Sequence, residues 1–485
     1  MRYLGLDIGT TGAKALLVDQ SGSRLGSGYS GYRLISEGDR IEQRADDWVE
    51  CGAAAVRQTL EGIDPSEVAA VGLSTQGASM LAIDASNRPI GNALTWMDSR
   101  AKQEATELAE QLGEEYIYRN TGWRVNPALD AAKMMHMKRC DGYKGAALFL
   151  STLEYMNLFL TGSPVCDPTN AAMRQVYNLN TGDYDDTILD AIGIRRDELP
   201  PVIPTGALVG GVTSAAAAAT GLLEGTPVYN GAHDQTCASI GAAAINKGDI
   251  LLSAGTTWVV LGIDEKPLFT ASWIAPSAHP IPGLYSAVAS LVGSGMSLQW
   301  FKDNFMDADF DEINRTVPTR QEKARDLLFY PYLSGAFYPL WNPEARGAFF
   351  GIVLEHDKFD FARAIMEATA FGVRMALDDF AANGFDFNTL RIMGGAAKSG
   401  IWCELISAAL AKPIEITSES EACALGAAII AASGAGAYPD LRAAATAMTS
   451  EPRRAMHGPG LSEYMGEKYI KYRRLWDCIA RHYSN

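Results

Sequence analysis

The segment Asp7–Lys14 (DIGTTGAK) has residue types that can bind a phosphate group. Its two threonines lie between glycines, and a turn of this kind exposes backbone amides to phosphate oxygens without obstruction by side chains. Asp7, at the end of the preceding strand-like run, can hold Mg²⁺ through water molecules. An ordinary hairpin turn is the alternative for one such segment, because short motifs often occur by chance.

A second Gly-Thr-Thr turn lies in the other half of the chain. It occupies residues 255–257, between the strand-like runs 250–252 and 258–263. Two such turns on opposite sides of a cleft can bind a nucleotide phosphate together. The duplication therefore favours phosphate binding over an ordinary turn.

Other phosphate-binding and catalytic signatures have no support. The chain contains no G-x-x-x-x-G-K-[ST] P-loop, and its one G-x-G-x-x-G match, at 26–31, follows a hairpin and opens no helix. We interpret that match as a strand with glycines. The sequence has no G-x-S-x-G nucleophile elbow, and its six histidines lack an HExxH-like spacing, which argues against acyl transfer and zinc hydrolysis.

Alternating strand-like and helix-like segments must position these turns. Strands are predicted at 3–8, 13–19 and 227–231, and the last of these ends just before residues 232–235. Helical patterns are present at 98–112, 214–220, 361–380, 401–410, 422–437 and 464–483. The fold class is therefore α/β. The run 422–437 is rich in Ala and Gly rather than Leu and Phe, which predicts a buried helix and not a membrane span.

Length and composition indicate a two-domain protein that binds small molecules. A chain of 485 residues exceeds the size of one hydrophobic core, and the repeated strand-turn-strand pattern places a boundary near residue 245. The net charge of -16 repels polyanions, so neither nucleic acid nor an acidic membrane is an expected partner. Seven cysteines without a CxxC pair, and the absence of an export signal after Met1, predict a reduced, cytoplasmic protein.

Three segments together resemble the FGGY carbohydrate kinases: the N-terminal turn, Gly-Ala-His-Asp-Gln at 231–235 and Gly-Gly-Ala-Ala-Lys-Ser at 394–399. The most specific match is Gly347–Ile352, followed after seven residues by Asp360–Glu367, which fits the family's C-terminal signature at every constrained position. The resemblance implies two actin-like ATPase (ribonuclease H-like) domains with an active-site cleft between them. Residues 1–245 would form the sugar-binding domain with the catalytic aspartate, and residues 246–485 the nucleotide-binding domain with a closing C-terminal helix.

The resemblance also implies roles for individual residues. Asp234 matches the family's catalytic aspartate, and phosphoryl transfer from ATP does need a carboxylate that accepts the proton of the acceptor hydroxyl. An aspartate that caps a turn or helix is the structural alternative. The adjacent His233 is interpreted as a packing or hydrogen-bonding residue, because a lone histidine is more often that than a base.

ATP and Mg²⁺ are the implied cofactors. Mg²⁺ would be held at Asp7 and Asp234 through water. Residues implied in nucleotide binding are Thr10, Thr11, Gly12, Lys14, Gly255, Thr256, Gly295, Gln299, Gly395 and Ser399. A solvated strand lysine is the alternative for Lys14, and close helix packing is the alternative for the segments around Gly295 and Ser399.

The sugar pocket is expected on the N-terminal side. Residues implied in substrate binding are Gln76, Trp96, Asp98, Asp234 and Gln235. Gly77 and Ala78 replace polar pairs of glycerol kinases and xylulokinases and are expected to open space in the pocket, with Trp96 against the carbon chain of the substrate. The favoured acceptor is a pentulose such as xylulose. A kinase for another polyol or sugar acid (glycerol, erythritol or gluconate) stays an alternative. A homodimer is a possible oligomeric state.

Two rivals from other classes would use the same fold. One is a non-catalytic nucleotide switch or scaffold, and the other is a nucleotide hydrolase without a sugar acceptor. Neither needs a carboxylate such as Asp234 together with the sugar-lining segments around Gln76 and Trp96. Because function is judged from sites rather than folds, a sugar kinase is the prediction.

Overall fold

The computed structural model describes residues 1–339, 341–342 and 344–483, and the chain divides into two compact units. The segments of the first unit are Met1–Ile245, Pro276–Ser286 and Glu421–Thr449. The segments of the second unit are Asn246–Ala275, Ala287–Ser420 and Ser450–Asn485.

Thirteen strands and nine α-helices lie in the described chain up to residue 245. The strands are β1 (Arg2–Ile8), β2 (Gly12–Asp19), β3 (Arg24–Gly31), β4 (Ile35–Glu37), β5 (Arg40–Gln43), β6 (Val68–Thr75), β7 (Leu81–Ile83), β8 (Ala93–Leu94), β9 (Leu148–Leu150), β10 (Tyr177–Asn178), β11 (Asp183–Tyr184), β12 (Leu208–Gly211) and β13 (Pro227–His233). The helices are α1 (Ala45–Thr59), α2 (Lys102–Leu112), α3 (Glu114–Thr121), α4 (Asp130–Arg139), α5 (Thr152–Thr161), α6 (Pro168–Met173), α7 (Asp186–Ile192), α8 (Ser214–Thr220) and α9 (Asp234–Gly241).

The rest of the described chain continues the alternation. The strands are β14 (Asp249–Ala254), β15 (Trp258–Asp264), β16 (Ile274–Ala278), β17 (Tyr285–Leu291), β18 (Leu328–Tyr330), β19 (Ala348–Phe350), β20 (Thr389–Met393), β21 (Ile414–Ile416) and β22 (Arg453–Ala455). The helices are α10 (Ser294–Phe305), α11 (Phe310–Thr316), α12 (Lys358–Ala382), α13 (Gly400–Leu410), α14 (Ala422–Gly434), α15 (Leu441–Met448) and α16 (Leu461–Tyr483).

A six-stranded sheet of order β12-β13-β6-β1-β2-β3 forms the centre of the first unit. The strands β1, β2 and β3 pair antiparallel, whereas β6 pairs parallel with both β1 and β13. The apolar side chains Tyr3, Leu4, Leu6 and Ile8 of β1 are all buried. A strand buried on both faces reads as a continuous apolar run, which is why the sequence predicted it.

The second unit contains the same arrangement. Its sheet has the order β16-β17-β15-β14-β20-β21-β22, with β14 antiparallel to β15 and parallel to β20. In both sheets the first strand of the unit therefore lies between an antiparallel hairpin partner and a parallel strand. The predicted α/β class and the repeated topology are confirmed.

The helix α14 packs closely on the sheet of the first unit although it lies far along the chain. A Cβ atom at Gly5 would lie 1.8 Å from the carbonyl oxygen of Ala424, and one at Gly72 would lie 2.1 Å from that of Ala427. Small residues on both sides permit this backbone contact. The predicted buried helix is confirmed, and no helix among the described residues is long and apolar enough for a bilayer.

Candidate functional site

The turn that joins β1 and β2 presents two backbone amides that have no acceptor within the described part of the protein. The Gly9 amide donates to the Gly12 carbonyl across 3.0 Å, which closes the turn, whereas the amides of Thr10 and Thr11 donate to no described residue. A Cβ atom at Gly12 would lie 2.8 Å from the backbone carbonyl oxygen of Ser30, so only glycine fits there. The geometry is that of an anion-binding turn.

Gln43 holds this turn and links it to the predicted sugar side. Its Nε2 donates to the Thr10 carbonyl across 2.6 Å, and its Oε1 accepts from Gln76 Nε2 at 2.6 Å and from Trp48 Nε1 at 3.0 Å. Trp96 Nε1 donates to the hydroxyl of Thr10 across 3.1 Å. Sequence reasoning missed Gln43, since a glutamine outside any motif gives no signal before its contacts are known.

Three carboxylates surround the base of the same turn. The hydroxyl of Ser74 donates to Asp7 Oδ1 across 2.7 Å. Burial raises the pKa of Asp7 to about 7, and the charges of Asp234 and Glu421 add to this rise. Lys14 forms an ion pair with Glu421 at 2.8 Å. Glu421 was also missed from sequence, because its proximity to Asp7 depends on the docking of α14.

The charge of Lys14 is stabilised by these neighbours. Burial acts to lower the pKa of Lys14, but the hydrogen bond and negative charge of Glu421 outweigh it and raise that pKa above its usual value. Lys14 is thus neither a freely solvated lysine nor an isolated cation. It is the positive partner within an acidic cluster.

The acidic cluster fits Mg²⁺ bound through water rather than direct coordination. Burial raises the pKa of Asp7, the negative charges of Asp234 and Glu421 add to this rise, and a divalent cation would offset those charges. Among the described residues no group of three or more His, Cys, Asp or Glu side chains is arranged as a direct metal-ligand set. Mg²⁺ keeps several waters and is usually shared between carboxylates and substrate phosphates, so Asp7 and Asp234 fit a water-mediated role.

Asp234 lies where β13 ends and α9 begins. Because β13 and β1 flank β6 in parallel, their carboxyl ends meet at one edge of the sheet, which brings Asp234 close to Asp7. His233 Nε2 lies 3.1 Å from Asp234 Oδ1, and both side chains reach solvent, with exposed fractions of 13% and 23%. The carboxylate is therefore accessible, and an imidazole nitrogen lies close to one of its oxygens.

Two buried glutamine oxygens next to these residues lack a protein donor. Gln76 is 1% exposed, and neither its Oε1 nor Gln235 Oε1 accepts a hydrogen bond from any residue that the structure describes. A buried acceptor without a donor costs about 1–3 kcal/mol. Both oxygens therefore have unused hydrogen-bonding capacity, and their contact with a sugar stays a prediction.

Asp98 is engaged within the protein. Its fully buried carboxylate accepts from Arg100 Nε at 2.9 Å, from Arg100 Nη2 at 2.6 Å and from the Ile41 amide at 2.8 Å. Arg100 also pairs with Glu42 at 2.5 Å. These contacts fix the segment that contains Trp96, and a direct contact of Asp98 with a sugar stays a prediction.

Lys133 ties the two predicted sugar-binding segments together. Its buried Nζ donates to the carbonyls of Ala78 and Thr95, each across 2.7 Å. Burial lowers the pKa of Lys133 to about 8, against the opposing charge of Asp130. One ammonium group thereby fixes the spacing between the segments that bear Gln76 and Trp96.

The expectation of open space at Gly77 is wrong. A Cβ atom at this position would lie 2.8 Å from Cδ2 of His233 and 2.9 Å from Cγ of Met173. Ala78 is buried and adopts a φ of 50°. The volume that a side chain would occupy in place of Gly77 is filled by the imidazole ring of His233.

The second Gly-Thr-Thr turn contacts the start of α10. A Cβ atom at Gly295 would lie 2.0 Å from the Gly255 carbonyl oxygen, and the Met296 amide donates to the Thr256 carbonyl across 3.0 Å. Gly255 and Thr256 are exposed, and the Thr256 amide donates to no residue within the described ranges. The second unit therefore has its own candidate phosphate turn, positioned by the helix behind it.

The other predicted nucleotide residues lie at the surface of the second unit or cap a helix. Gln299 is exposed and donates to Asp303 across 2.6 Å. Gly395 is exposed at the end of the loop that follows β20. Ser399 is the N-cap of α13, and its hydroxyl donates to Asn314 Oδ1 across 2.6 Å. The sequence did not predict this capping role, and adenine binding by Ser399 stays a prediction.

A duplicated actin-like ATPase fold, with a Gly-Thr-Thr turn in each unit and an accessible carboxylate in the first, agrees with an ATP-dependent phosphotransferase. Residues 2–241 match the N-terminal domain of the FGGY family of carbohydrate kinases, and residues 250–435 match its C-terminal domain. The chain therefore belongs to the FGGY family of carbohydrate kinases, as the sequence predicted. It phosphorylates sugars with ATP as donor.

Individual relatives span the whole chain. The xylulose kinase of Bacillus subtilis (strain 168) is 28% identical over 493 residues, which cover 100% of this chain and 97% of that protein. The L-xylulose/3-keto-L-gulonate kinase of Escherichia coli (strain K12) is 28% identical over 490 residues, covering 98% and 96%. A crystal structure of ligand-bound xylulose kinase from Lactobacillus acidophilus matches with a TM-score of 0.92 at 24% identity, covering 100% of this chain and 99% of that one. That structural match supports the fold alone.

Proposed function

We propose that the enzyme transfers the γ-phosphate of Mg²⁺-bound ATP to a hydroxyl group of a small neutral ketose, with a pentulose such as xylulose as the favoured acceptor. The observation that supports this most is the position of Asp234, an accessible carboxylate beside Asp7 and next to a turn with free amides. A nucleotide switch would not need that carboxylate.

Asp234 would act as the proton acceptor. The sugar oxygen forms a bond to the γ-phosphorus, its proton passes to the Asp234 carboxylate, and the bond between the γ-phosphorus and the β,γ-bridging oxygen breaks to release ADP. Mg²⁺, held through water at Asp7 and Asp234, would neutralise charge that develops on the phosphates. The free amides of Thr10 and Thr11 and the paired cation Lys14 would bind phosphate oxygens beside it.

Each part of the chain would bind one ligand. We assign the sugar and the proton acceptor to residues 1–245, and the nucleotide mainly to residues 246–485, with the turn at 255–256 on its phosphates. Residues assigned to nucleotide binding in the second unit are Gly255, Thr256, Gly295, Gln299, Gly395 and Ser399. Because ATP is the donor, the assignment also places the enzyme in the cytoplasm.

The hydrogen-bonding groups of the sugar side favour a neutral polyol over a sugar acid. Gln76 Oε1 and Gln235 Oε1 are acceptors and suit hydroxyl groups. The nearby cations Arg100 and Lys133 already bind protein carboxylate or carbonyl oxygens. A sugar acid would need an unpaired cation for its carboxylate, because burying an unpaired charge is costly. The relatives named as xylulose kinases agree with this preference, whereas 3-keto-L-gulonate in the name of the Escherichia coli relative represents the acidic alternative.

An acceptor panel tests this proposal. ADP release would be measured with D-xylulose, L-xylulose, D-ribulose, glycerol, erythritol, gluconate and 3-keto-L-gulonate, each at several concentrations. We expect the highest kcat/KM with a pentulose and at least about tenfold lower values with both acids, since an unpaired buried carboxylate costs more than 1.4 kcal/mol. An acid as the best acceptor would contradict the neutral pocket, and ADP release that no acceptor increases would favour a hydrolase.

A further inference from the structure

The imidazole of His233 occupies the position that a side chain at residue 77 would take. A Cβ atom built on Gly77 would approach His233 Cδ2 to 2.8 Å and Nε2 to 3.0 Å. Real Cβ atoms do not approach ring atoms this closely, so even alanine would displace the ring or the strand end. Met173 Cγ, 2.9 Å from the same point, forms the other wall. The ring thus has one defined place.

The backbone beneath this ring is fixed by a separate set of contacts. The His233 amide donates to the hydroxyl of Thr169 across 2.8 Å, and that hydroxyl donates to the buried carboxylate of Asp167 across 2.7 Å. Asp167 also accepts from the Thr169 and Asn170 amides, each at 3.0 Å, as the N-cap of α6. With the backbone fixed below and Gly77 beside it, the ring is directed at Asp234.

We infer that His233 is a positioning residue for Asp234, and that Gly77 is the residue that permits it. Nε2 of the imidazole lies 3.1 Å from Asp234 Oδ1, close enough for a proton on Nε2 to be attracted to that oxygen, which would leave Oδ2 for the acceptor hydroxyl. A carboxylate fixed on one oxygen needs no reorientation when the hydroxyl arrives. This inference rests on the proposed role of Asp234 as proton acceptor.

A purely packing role for His233 makes a different prediction. If the ring only fills volume, His233→Leu should keep most of the wild-type kcat, and the kcat of His233→Gln should be no higher than that of His233→Leu. If the ring orients Asp234, the donor at the position of Nε2 is what matters, and a glutamine amide can provide one at that position. The two roles therefore predict opposite orders for these variants.

The first experiment compares His233→Gln with His233→Leu, using saturating ATP and the best neutral acceptor. We expect His233→Leu to lower kcat by about 10- to 100-fold, because a misplacement of about 1 Å can cost that much. The KM for ATP should change little. His233→Gln should recover most of the lost kcat. Equal kcat values for the two variants, or full activity of His233→Leu, would overturn the inference.

The second experiment tests the pairing with Gly77 by a double-mutant cycle. Gly77→Ala should lower kcat in the wild-type background, because its methyl group displaces the ring. In a His233→Ala background the ring is absent and the flexible side chain of Met173 can move into the space that the ring leaves, so adding Gly77→Ala should change kcat less than about twofold. Gly142→Ala is the matched control, since a Cβ atom there meets nothing within 4 Å. Additive losses in the cycle would overturn the inference.

Controls separate this inference from the proposed function. Each variant is first checked for its melting temperature and for binding of a non-hydrolysable ATP analogue, so that an unfolded protein is not scored. If Asp234→Asn keeps its turnover, the proposed role of Asp234 fails. If Asp234→Asn is inactive while His233→Leu and Gly77→Ala keep full kcat, only the positioning role fails.

Discussion

At the scale of single residues, the acidic cluster of the first unit should lower the stability of the ligand-free protein. Asp7 lies between β2 and β6 with Asp234 and Glu421 nearby, and Ser74 and Lys14 compensate only part of the negative charge. A cluster of like charges that is not fully compensated destabilises the folded protein without its ligand. Perturbed pKa values of this kind cluster at functional sites.

The predicted consequence is that Asp7→Asn stabilises the ligand-free protein in a pH-dependent way. The folded pKa of Asp7, about 7, exceeds the unfolded value of about 3.9, so the unfolded state loses its proton first and stability falls as the pH rises toward 7. Asparagine carries no such penalty. The difference in free energy of unfolding between Asp7→Asn and the wild type should grow by about 1–2 kcal/mol from pH 5.5 to pH 8. This range is reduced for the partial exposure of Asp7 to solvent.

Urea unfolding without ATP or Mg²⁺, at both pH values, measures this difference. Asp141→Asn serves as the control, because its side chain is 89% exposed and should show no pH-dependent advantage. The Asp7→Asn variant should at the same time lose Mg²⁺-dependent turnover. If Asp7→Asn stabilises the protein equally at pH 5.5 and pH 8, the pKa of Asp7 is not raised in the folded protein.

The sequence predicted some residues of the site and not others, for a physical reason. The Gly-Thr-Thr turns and Asp234 are visible because they are local patterns with a fixed place on a strand end. Gln43 and Glu421 act through contacts with residues far away in the chain, and no local pattern encodes such contacts. The space at Gly77 was misjudged because the ring that fills it belongs to His233, on another strand.

At the scale of elements, the contact between α10 and the second turn should control nucleotide affinity. The methyl group of Gly295→Ala would lie 2.0 Å from the Gly255 carbonyl oxygen, so the turn or the helix must move. We expect ATP affinity to fall by at least about tenfold, equivalent to 1.4 kcal/mol, because the amides of the turn would no longer align with the phosphates. The KM for the sugar should change little.

Isothermal titration with a non-hydrolysable ATP analogue measures this loss. Gly466→Ala in α16 is the matched control, since a Cβ atom there meets nothing within 4 Å and alanine favours a helix. Unchanged nucleotide affinity in a folded Gly295→Ala protein would show that the turn at 255–256 does not bind the phosphates.

Most elements could be predicted because their patterns are strong. The alanine run predicted at 214–220 is α8, and the strand predicted at 3–8 is β1 with one more residue. Boundaries differ where side-chain contacts fix the residues outside a helix. The pattern 98–112 includes residues before α2, which begins only at Lys102, after the segment fixed by Asp98 and Arg100. The spacing of apolar residues that predicts a helix contains no information about such side-chain contacts.

At the scale of the whole molecule, the two units repeat one topology, and each has a Gly-Thr-Thr turn after its first strand. The sequence could predict this repetition because the two turns are nearly identical. It could not predict that residues 421–449 group with the first unit, since that grouping depends on backbone contacts such as those of Gly5 and Gly72 with α14. Small residues permit such contacts without specifying their partner.

The central claim is that Asp234 accepts the proton of a neutral sugar hydroxyl during transfer from ATP. The most direct test measures formation of both ADP and sugar phosphate by Asp234→Asn with the best acceptor of the panel, beside Asp186→Asn, an exposed control. Asp234→Asn should lose roughly 10²–10⁴-fold in kcat while its affinity for the ATP analogue stays within a few-fold, because the carboxylate acts on the acceptor hydroxyl. Asp186→Asn should match the wild type. A folded Asp234→Asn protein that forms sugar phosphate at a near wild-type rate would contradict the account.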